Sequence, residues 1–206
     1  MKEIEFVPVD YDYFDFEVRN FVKMVGRGGE GRKVFVIDSY EANFYLILEN
    51  DADAEKIIES IKDVSVSKGG RISRVLKSEV LERKFLGNDV RAIRVWIGNH
   101  KDLQEFTSAI GDLDGVSCRR EWDISLVTKY IKENKVEPLV WHSVEVGSSD
   151  VERVVEGLDV EEIYFAEEIR PLKNRKEFVP KILAYDIETT GREIGEGEIL
   201  MISYCS

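Results

Sequence analysis

Two acidic residues near the end of the chain, Asp186 and Glu188, have the type and spacing to do chemistry. They lie in KILAYDIETT at 181–190, where the apolar run ILAY leads into the acids. Because successive side chains of a β-strand point to opposite faces, the two carboxylates share a face and Ile187 points away from it. Like charges repel in a low-dielectric site, so two carboxylates at the end of a buried strand need a compensating cation.

A hard divalent cation supplies that compensation. Mg²⁺ and Mn²⁺ prefer oxygen ligands, and two such ions about 4 Å apart activate a water and stabilise a leaving oxygen in phosphodiester hydrolysis. The alternative is a chance pair, because 34% of the residues are charged and D-x-E recurs at random in such a chain. The context favours the metal, since TTG follows the acids and a short polar link leads to a second apolar strand, EILMISY at 198–204. A ribonuclease-H-like nuclease sheet commonly begins in this way.

The composition restricts the class of protein. A chain of 206 residues with 43% hydrophobic side chains can build a packed core in one or two domains. The net charge of -12 argues against a surface that attracts phosphate throughout, so any nucleic-acid contact is local. Two distant cysteines, Cys118 and Cys205, and two histidines indicate neither a disulfide framework nor a zinc site. The sequence shows neither a signal peptide nor an apolar run long enough to span a bilayer, so we expect a soluble, cytoplasmic protein that contacts no membrane.

The middle of the chain predicts a unit of strands and helices in the order β-α-β-β-α-β. Apolar FYLILEN predicts a buried strand, and LGND between two alternating stretches is typical of a hairpin turn. This is the split βαβ, or ferredoxin-like, topology, which recurs in modules that lay single strands of nucleic acid across a sheet. The predicted elements cover 44–50 (strand), 51–62 (helix), 69–85 and 90–99 (strands), 100–113 (helix) and 115–122 (strand).

Further elements flank this unit. Residues 4–38 predict two or three strands joined by GRGGEGRK, which we interpret as a hairpin turn because neither nucleotide-binding glycine pattern is present. Ser125 can cap a short helix over 124–135. A new unit is predicted from Val136, with a strand, a turn and short helix at 148–158, a further strand, and the two terminal strands.

Basic residues concentrate in the central hairpin, whereas the stretch from 145 to 198 is acidic. This asymmetry is compatible with a local nucleic-acid face, and equally with an ordinary solvated hairpin, because Glu79 and Glu82 dilute it. Trp96 is expected to pack in the core rather than to stack on a base. The basic residues are Arg71, Arg74, Lys77, Arg83, Lys84, Arg91, Arg94 and Lys101.

YDIET followed by GEILMISY resembles the first exonuclease motif of archaeal family B DNA polymerases. The resemblance covers essentially the whole chain, and it includes a ferredoxin-like substructure in the family's N-terminal domain. The upstream segments that match the family in order and spacing are VDYDY (9–13), FYLIL (44–48), ERKFLGN (82–88), REWDISLVTKYIKENKVEP (120–138) and KILAYDIET (181–189).

The resemblance implies an α+β chain with a ferredoxin-like polymerase N-terminal domain at 1–135 and the beginning of a ribonuclease-H-like 3'-5' exonuclease domain at 136–206. It places Asp186 to bridge two Mg²⁺ or Mn²⁺ ions and Glu188 to bind one of them. The family's other metal-binding carboxylates and its polymerase palm lie beyond these motifs. We therefore expect a fragment or one part of a split polymerase that is inactive alone. Its expected partners are single-stranded template or primer 3' end and the remainder of the polymerase, in cis or as a second polypeptide.

Archaeal relatives hold template uracil in a pocket of the N-terminal domain. Arg91 and Arg94 are further candidates for DNA contact. Most pocket positions depart from the family pattern towards smaller or less rigid residues, and Lys replaces Arg at one of them. Because uracil is distinguished from thymine only by a methyl group, we expect weak or absent uracil discrimination. The pocket positions are Tyr13 and Ile124, which match the family, and Ala42, Asn43, Ala92, Ser125 and Lys129, which do not.

Three functional classes follow from the sequence. The first is the N-terminal segment of a replicative or repair polymerase, and the second is a freestanding ribonuclease-H-like nuclease. The third is a non-enzymatic nucleic-acid-binding or assembly module that uses the ferredoxin-like half. A complete nuclease needs at least one more acidic element after the terminal strands, and strong autonomous DNA binding is disfavoured by the acidity of the chain. The polymerase segment is therefore the leading hypothesis.

Overall fold

The computed structural model describes residues 2–147, 160–173, 177–191 and 197–205, in two compact units, Met1–Arg175 and Lys176–Ser206. The helix predicted at 148–158 lies outside the described residues. The first unit contains β1 (Lys2–Phe16), β2 (Arg19–Gly28), β3 (Lys33–Ser39), β4 (Ala42–Leu48), α1 (Ala54–Ile61), β5 (Ser65–Lys68), β6 (Arg71–Phe85), β7 (Asn88–Ile97), a 3-10 turn (His100–Asp102), α2 (Leu103–Ile110), β8 (Val116–Arg120), α3 (Leu126–Asn134), β9 (His142–Gly147) and β10 (Glu162–Pro171). The second contains β11 (Ala184–Thr189) and β12 (Ile199–Cys205).

The central sheet has the strand order β5-β6-β7-β4-β8, and its pairs are antiparallel. The predicted order of strands and helices from residue 44 to 122 is confirmed, with β5 as an additional short edge strand. Helix α1 begins where Asp53 accepts a hydrogen bond from the Lys56 amide, as an N-cap should. It buries Ile57 and Ile61 against the sheet, and α2 buries Phe106 in the same core.

A second sheet closes on itself as a barrel in the order β1-β2-β3-β10-β9. Strands β1, β2 and β3 are successive antiparallel neighbours, β9 pairs with β1, and β10 runs parallel to β3. Two of these strands come from the region that the sequence assigned to a second domain starting at residue 136. The division into compact units falls instead after Arg175. Pairing between strands more than a hundred residues apart leaves no trace in local periodicity.

The segment GRGGEGRK forms the hairpin turn between β2 and β3, as predicted. The amide of Gly28 donates to the Arg32 carbonyl at 2.9 Å, and Gly31 has φ 81°. Gly26 serves a different purpose: a Cβ there would lie 2.0 Å from the Val7 carbonyl oxygen and 2.6 Å from the Phe6 ring. Only glycine therefore allows β1 and β2 to approach this closely.

Helix α3 begins at a predicted N-cap and contributes a buried aromatic side chain to the core. Ser125 Oγ accepts a hydrogen bond from the Thr128 amide at 3.2 Å, which confirms it as the N-cap. Leu126 and Tyr130 are buried, and the Tyr130 ring packs edge-on against Tyr40. None of the helices within the described ranges has the length and apolar composition of a membrane span.

The second unit is an antiparallel ribbon of β11 and β12, and the two predicted terminal strands are thus confirmed as a pair. A register irregularity lies between Glu188 and Thr189. The sequence predicted a buried strand here, and this is corrected: every residue of β11 and β12 is exposed. The physical reason is that a two-stranded ribbon has two open faces, and the described residues of this unit provide no third element to cover either one.

A buried ion pair joins the start of β6 to the turn before α2. Asp102 is 1% exposed and accepts two hydrogen bonds from Arg71, at 2.7 Å from Nη2 and 3.2 Å from Nε. Two parallel bonds between a guanidinium and a carboxylate fix both position and orientation. Asp102 consequently does not cap α2 with its side chain, although it precedes the helix.

We expect Asp102→Ala to lower the free energy of unfolding by about 3 kcal/mol, because it leaves a partly buried cation without its partner. Urea denaturation followed by circular dichroism measures this difference. As a control, Glu59→Ala removes an exposed partner of Lys62 and should change stability by less than about 0.5 kcal/mol. A variant of Asp102 as stable as the wild type would contradict the assignment.

Candidate nucleic-acid interface and metal-ligand pair

The central sheet has one face in the core and a second face that carries charged and aromatic side chains. On β7, Ile93, Val95 and Ile97 are fully buried, and Arg94 and Trp96 alternate with them. Because alternate side chains of a strand point to opposite faces, Arg94 and Trp96 lie on the second face. We call this the outer sheet face.

Cross-strand pairing places cations beside aromatic rings on the outer sheet face. Tyr45 of β4 lies between Arg94 of β7 and Arg120 of β8, and Lys77 of β6 lies opposite Trp96. Lys77 Nζ and Arg94 Cζ are each 4.5 Å from the centre of the Trp96 ring system. Trp96 is 8% exposed, so the expectation that it packs rather than offers a free stacking surface is confirmed. Such contacts between cations and rings are attractive and hold both groups in place.

Asn43 and Lys129, two of the predicted pocket residues, form a buried polar contact at one end of this face. Lys129 is 4% exposed and Asn43 is 1% exposed. Lys129 Nζ donates to the Asn43 carbonyl oxygen at 2.8 Å and to Asn43 Oδ1 at 2.9 Å. It also lies 3.2 Å from the Glu121 carboxylate. Burial of the ammonium lowers the pKa of Lys129, and the neighbouring carboxylate of Glu121 opposes that shift.

Arg94, Tyr40 and Glu133 complete this polar cluster. Arg94 Nε donates to Asn43 Oδ1 at 3.1 Å, and Arg94 also pairs with Glu133. The Tyr40 hydroxyl donates to Glu133 at 2.6 Å and lies 3.2 Å from the Asn43 amide nitrogen. Burial raises the pKa of Tyr40, and the hydrogen bond to Glu133 raises it further. Tyr40 and Glu133 were not predicted from the sequence, although Glu133 follows Lys129 by four residues and so shares its helix face.

The remaining predicted pocket residues are distributed around this cluster. Ala42 and Ala92 are buried, and Ile124 is half-buried just before the Ser125 cap. The Tyr13 ring meets the His100 ring edge-on, with centroids 5.5 Å apart. Burial lowers the pKa of His100, and the charge of Lys129 lowers it further.

Most of the cations predicted to form a basic hairpin have acidic or carbonyl partners. Arg91 donates to the Ala52 carbonyl oxygen at 3.3 Å rather than extending into solvent. Arg74 and Arg83 are exposed and have no ion pair within the described ranges. The positive potential of the hairpin is therefore reduced but not cancelled. The ion pairs are Arg71 with Asp102, Lys77 with Glu41, Lys84 with Asp89, Arg94 with Glu133, and Lys101 with Asp15.

Asp186 and Glu188 lie on β11, opposite Ser203 and Met201 of β12. Their spacing keeps both carboxylates on one face of the ribbon. Asp186 Oδ1 accepts a hydrogen bond from the Ile187 amide at 3.0 Å. Two carboxylates suit a hard divalent cation, but within 2–147, 160–173, 177–191 and 197–205 no three histidine, cysteine, aspartate or glutamate side chains gather into a metal site. The pair thus fits part of a ligand set.

Asp38 of β3 joins the barrel to α3 beside the polar cluster. The Tyr130 hydroxyl donates to Asp38 Oδ2 at 2.7 Å. Burial raises the pKa of Asp38 to about 6, although the hydrogen bond from Tyr130 works in the opposite direction. The folded chain consequently binds the Asp38 proton more tightly than the unfolded chain does.

This difference predicts a pH-dependent contribution to stability. Protonated Asp38 favours folding below about pH 4, and that stabilisation is lost as the pH rises through about 6. Relative to the wild type, Asp38→Asn should therefore gain about 2 to 3 kcal/mol between about pH 4 and about pH 7. Urea denaturation at both pH values measures the change. Asp12→Asn is the control, because Lys23 lowers the pKa of Asp12, so the contribution of that carboxylate to stability is lost only below about pH 4 and the variant should follow the wild type between the two pH values. An identical pH dependence of the Asp38 variant and the wild type would refute the prediction.

The chain is similar in sequence to DNA polymerases of several archaea. No protein-family model matches it. DNA polymerases from Desulfurococcus sp. and Thermococcus kodakarensis are 26% and 25% identical to it over 199 residues, which is 95% of the chain. The DNA polymerase of Thermococcus gorgonarius is 24% identical over the same length. The chain spans 21% of the Desulfurococcus protein and 10% of the Thermococcus kodakarensis protein.

A solved structure shows the same fold. The family B DNA polymerase from Pyrobaculum calidifontis superposes with a TM-score of 0.70 and 24% sequence identity. The match covers 97% of this chain and 25% of that polymerase. The resemblance to archaeal family B DNA polymerases that the sequence motifs predicted is therefore confirmed over nearly the whole chain.

Proposed function

We propose that this chain is the N-terminal part of a family B DNA polymerase that acts in DNA replication or repair. The observation that carries the proposal is the similarity in sequence and fold along at least 95% of the chain to proteins that are DNA polymerases. Within such an enzyme this part contributes contacts to the template and the first metal-binding motif of a 3'-5' proofreading exonuclease. The remainder of the polymerase, in cis or as a second polypeptide, is its partner.

The two halves of the proposed fold rest on separate observations. The order β6-β7-β4-β8, with α1 after β4 and α2 after β7, is that expected of a ferredoxin-like unit. The ribbon of β11 and β12 supports the proposal that these are the first two strands of a ribonuclease-H-like sheet. Because β9 and β10 belong to the barrel, we place the start of the exonuclease part in the second unit rather than at residue 136.

Template contact is assigned to the outer sheet face. Arg120 is exposed beside Tyr45, and its guanidinium lies 4.6 Å from the Phe85 ring centre. A sheet that presents aromatic rings and cations suits single-stranded nucleic acid, because bases stack on rings and phosphates attract cations. The net charge of -12 makes this contact weak when the chain acts alone and confines it to the cationic part of the face.

The hydrogen bonds of the polar cluster are a reason to expect only weak discrimination between uracil and thymine. Asn43 and Lys129 are already hydrogen-bonded to each other, and Arg94 is bonded to both Asn43 and Glu133. A base that entered this region would have to displace buried hydrogen bonds, which is costly. The lost contacts would be the same for uracil and for thymine, so they provide no basis for selecting either base.

Fluorescence anisotropy with labelled single-stranded DNA tests both parts of this proposal. With two or three phosphate contacts, the affinity should fall roughly ten-fold between about 50 mM and about 200 mM salt. Oligonucleotides that differ at a single uracil or thymine should bind within about two-fold of each other. Arg120→Glu should weaken binding by about five-fold, whereas Lys62→Glu at the C-cap of α1 should not. No binding at low salt would reject the template role, and a clear preference for uracil would reject the second prediction.

The metal site is proposed to be shared with the rest of the polymerase. Asp186 and Glu188 would supply carboxylate oxygens to Mg²⁺ or Mn²⁺, which activates a water for phosphodiester hydrolysis when the full ligand set is present. The strand spacing holds both carboxylates on one face, so that they can serve one site. The additional ligands would come from the partner region.

We therefore expect this chain alone to have no 3'-5' exonuclease activity on single-stranded DNA with Mg²⁺ or Mn²⁺. The measurement is gel analysis of a 5'-labelled oligonucleotide after prolonged incubation, with Asp186→Ala as the matched control for contaminating nucleases. Equal, negligible degradation by both chains is the expected result. Degradation by the wild type that disappears in the Asp186 variant would show that the site is complete without a partner.

A further inference from the structure

The turn between β6 and β7 places a leucine where the backbone disfavours it. Leu86 has φ 50° and Gly87 has φ 85°, so both residues of this two-residue turn adopt the left-handed conformation. Turns of this kind favour Asn-Gly, because asparagine and glycine tolerate positive φ. A leucine with positive φ is uncommon, since its Cβ crowds the following carbonyl oxygen. Strain of this kind at an accessible site is a reason to ask what the side chain does.

Packing does not explain Leu86. Its side chain is 85% exposed, more than any other large apolar residue in the described part of the chain. A Cβ at the adjacent Gly87 would also meet no other atom within 4 Å, so the tip of the hairpin is open. Leu86 is therefore strained without being buried, and an asparagine at this position would suit both the turn and the solvent better.

The hairpin tip differs in charge from the rest of the chain. Residues 82–91 together with Arg120 contain four cations, Arg83, Lys84, Arg91 and Arg120, and two acids, Glu82 and Asp89. The chain as a whole has a net charge of -12. Lys84 Nζ lies 3.9 Å from Asp89, and both side chains are largely exposed, which makes this a weak pair.

The tip is continuous with the outer sheet face. Phe85 is half-buried next to Leu86, and Arg120 stacks on its ring. Arg83 lies two residues before Phe85, so both side chains are on the same face of β6. An exposed apolar side chain thus projects at the end of a surface that carries rings and cations.

We propose that Leu86 packs against a nucleobase of single-stranded DNA, while Arg83, on the same face of β6 as Phe85, contacts a flanking phosphate. This inference rests on the proposed template role of the outer sheet face. Charge complementarity favours DNA over another protein surface, because residues 82–91 together with Arg120 carry more cations than acids. Proteins that bend or separate DNA use exposed leucine and phenylalanine in this way, inserting them between stacked bases.

The test uses the 206-residue chain and a single-stranded oligonucleotide that carries 2-aminopurine, whose fluorescence changes when stacking is lost. Leu86→Ala and Leu86→Asn should each weaken binding by at least about five-fold and abolish the fluorescence change. Leu86→Asn should also raise the Tm by about 2 to 4 °C, because asparagine relieves the strained turn. Weaker binding by a more stable chain is a combination that a purely structural role of Leu86 would not produce.

Leu139 provides a matched control. It also has positive φ, 62°, and is 41% exposed, but it is not part of the β6–β7 hairpin, and its amide bonds to the Pro8 carbonyl oxygen of the barrel. Leu139→Asn should raise the Tm similarly and leave the affinity for DNA unchanged. If both Leu86 variants bind like the wild type while Arg120→Glu weakens binding, the role of Leu86 is refuted and the template role survives. If the wild-type chain binds no oligonucleotide at low salt, both proposals fail.

Discussion

Closure of the barrel is the constraint on which the larger unit depends. Strand β10 pairs in parallel with β3, and β9 pairs with β1, so strands from both ends of this unit meet in one closed sheet. A closed sheet leaves no unpaired edge, which removes the main liability of isolated strands. Everything between β3 and β9, including the central sheet and helices α1, α2 and α3, is an insertion that must leave the barrel and return to it.

Helix α3 leads the chain from the central sheet back to the barrel and makes contacts with both sheets. Its buried Tyr130 bonds to Asp38 of the barrel, and its Lys129 bonds to Asn43 of the central sheet. The helix thus connects the two sheets through polar contacts that burial forces to be satisfied. The same contacts occupy the region in which the family resemblance implied a pocket for a base.

The site residues differ in how far sequence could identify them. Asp186 and Glu188 could be proposed as a metal-ligand pair because a period of two and an apolar run are local features, and the Ser125 cap could be predicted for the same reason. The polar cluster was only partly predictable. Asn43 and Lys129 are 86 positions apart, and nothing local indicates that they bond to each other or that Glu133 and Tyr40 join them.

The sequence by itself determined the order of elements in the central sheet, the hairpin turns, the helix cap and the spacing of the two acids. Each depends on hydrophobic periodicity, turn residues or capping groups within a few positions. Only the tertiary structure decided that β9 and β10 complete a barrel with β1 to β3, that the ribbon of β11 and β12 is exposed, and that most cations of the hairpin are paired. These outcomes depend on which distant groups meet, and the free energy of burying and pairing them is a property of the assembled fold rather than of any local stretch.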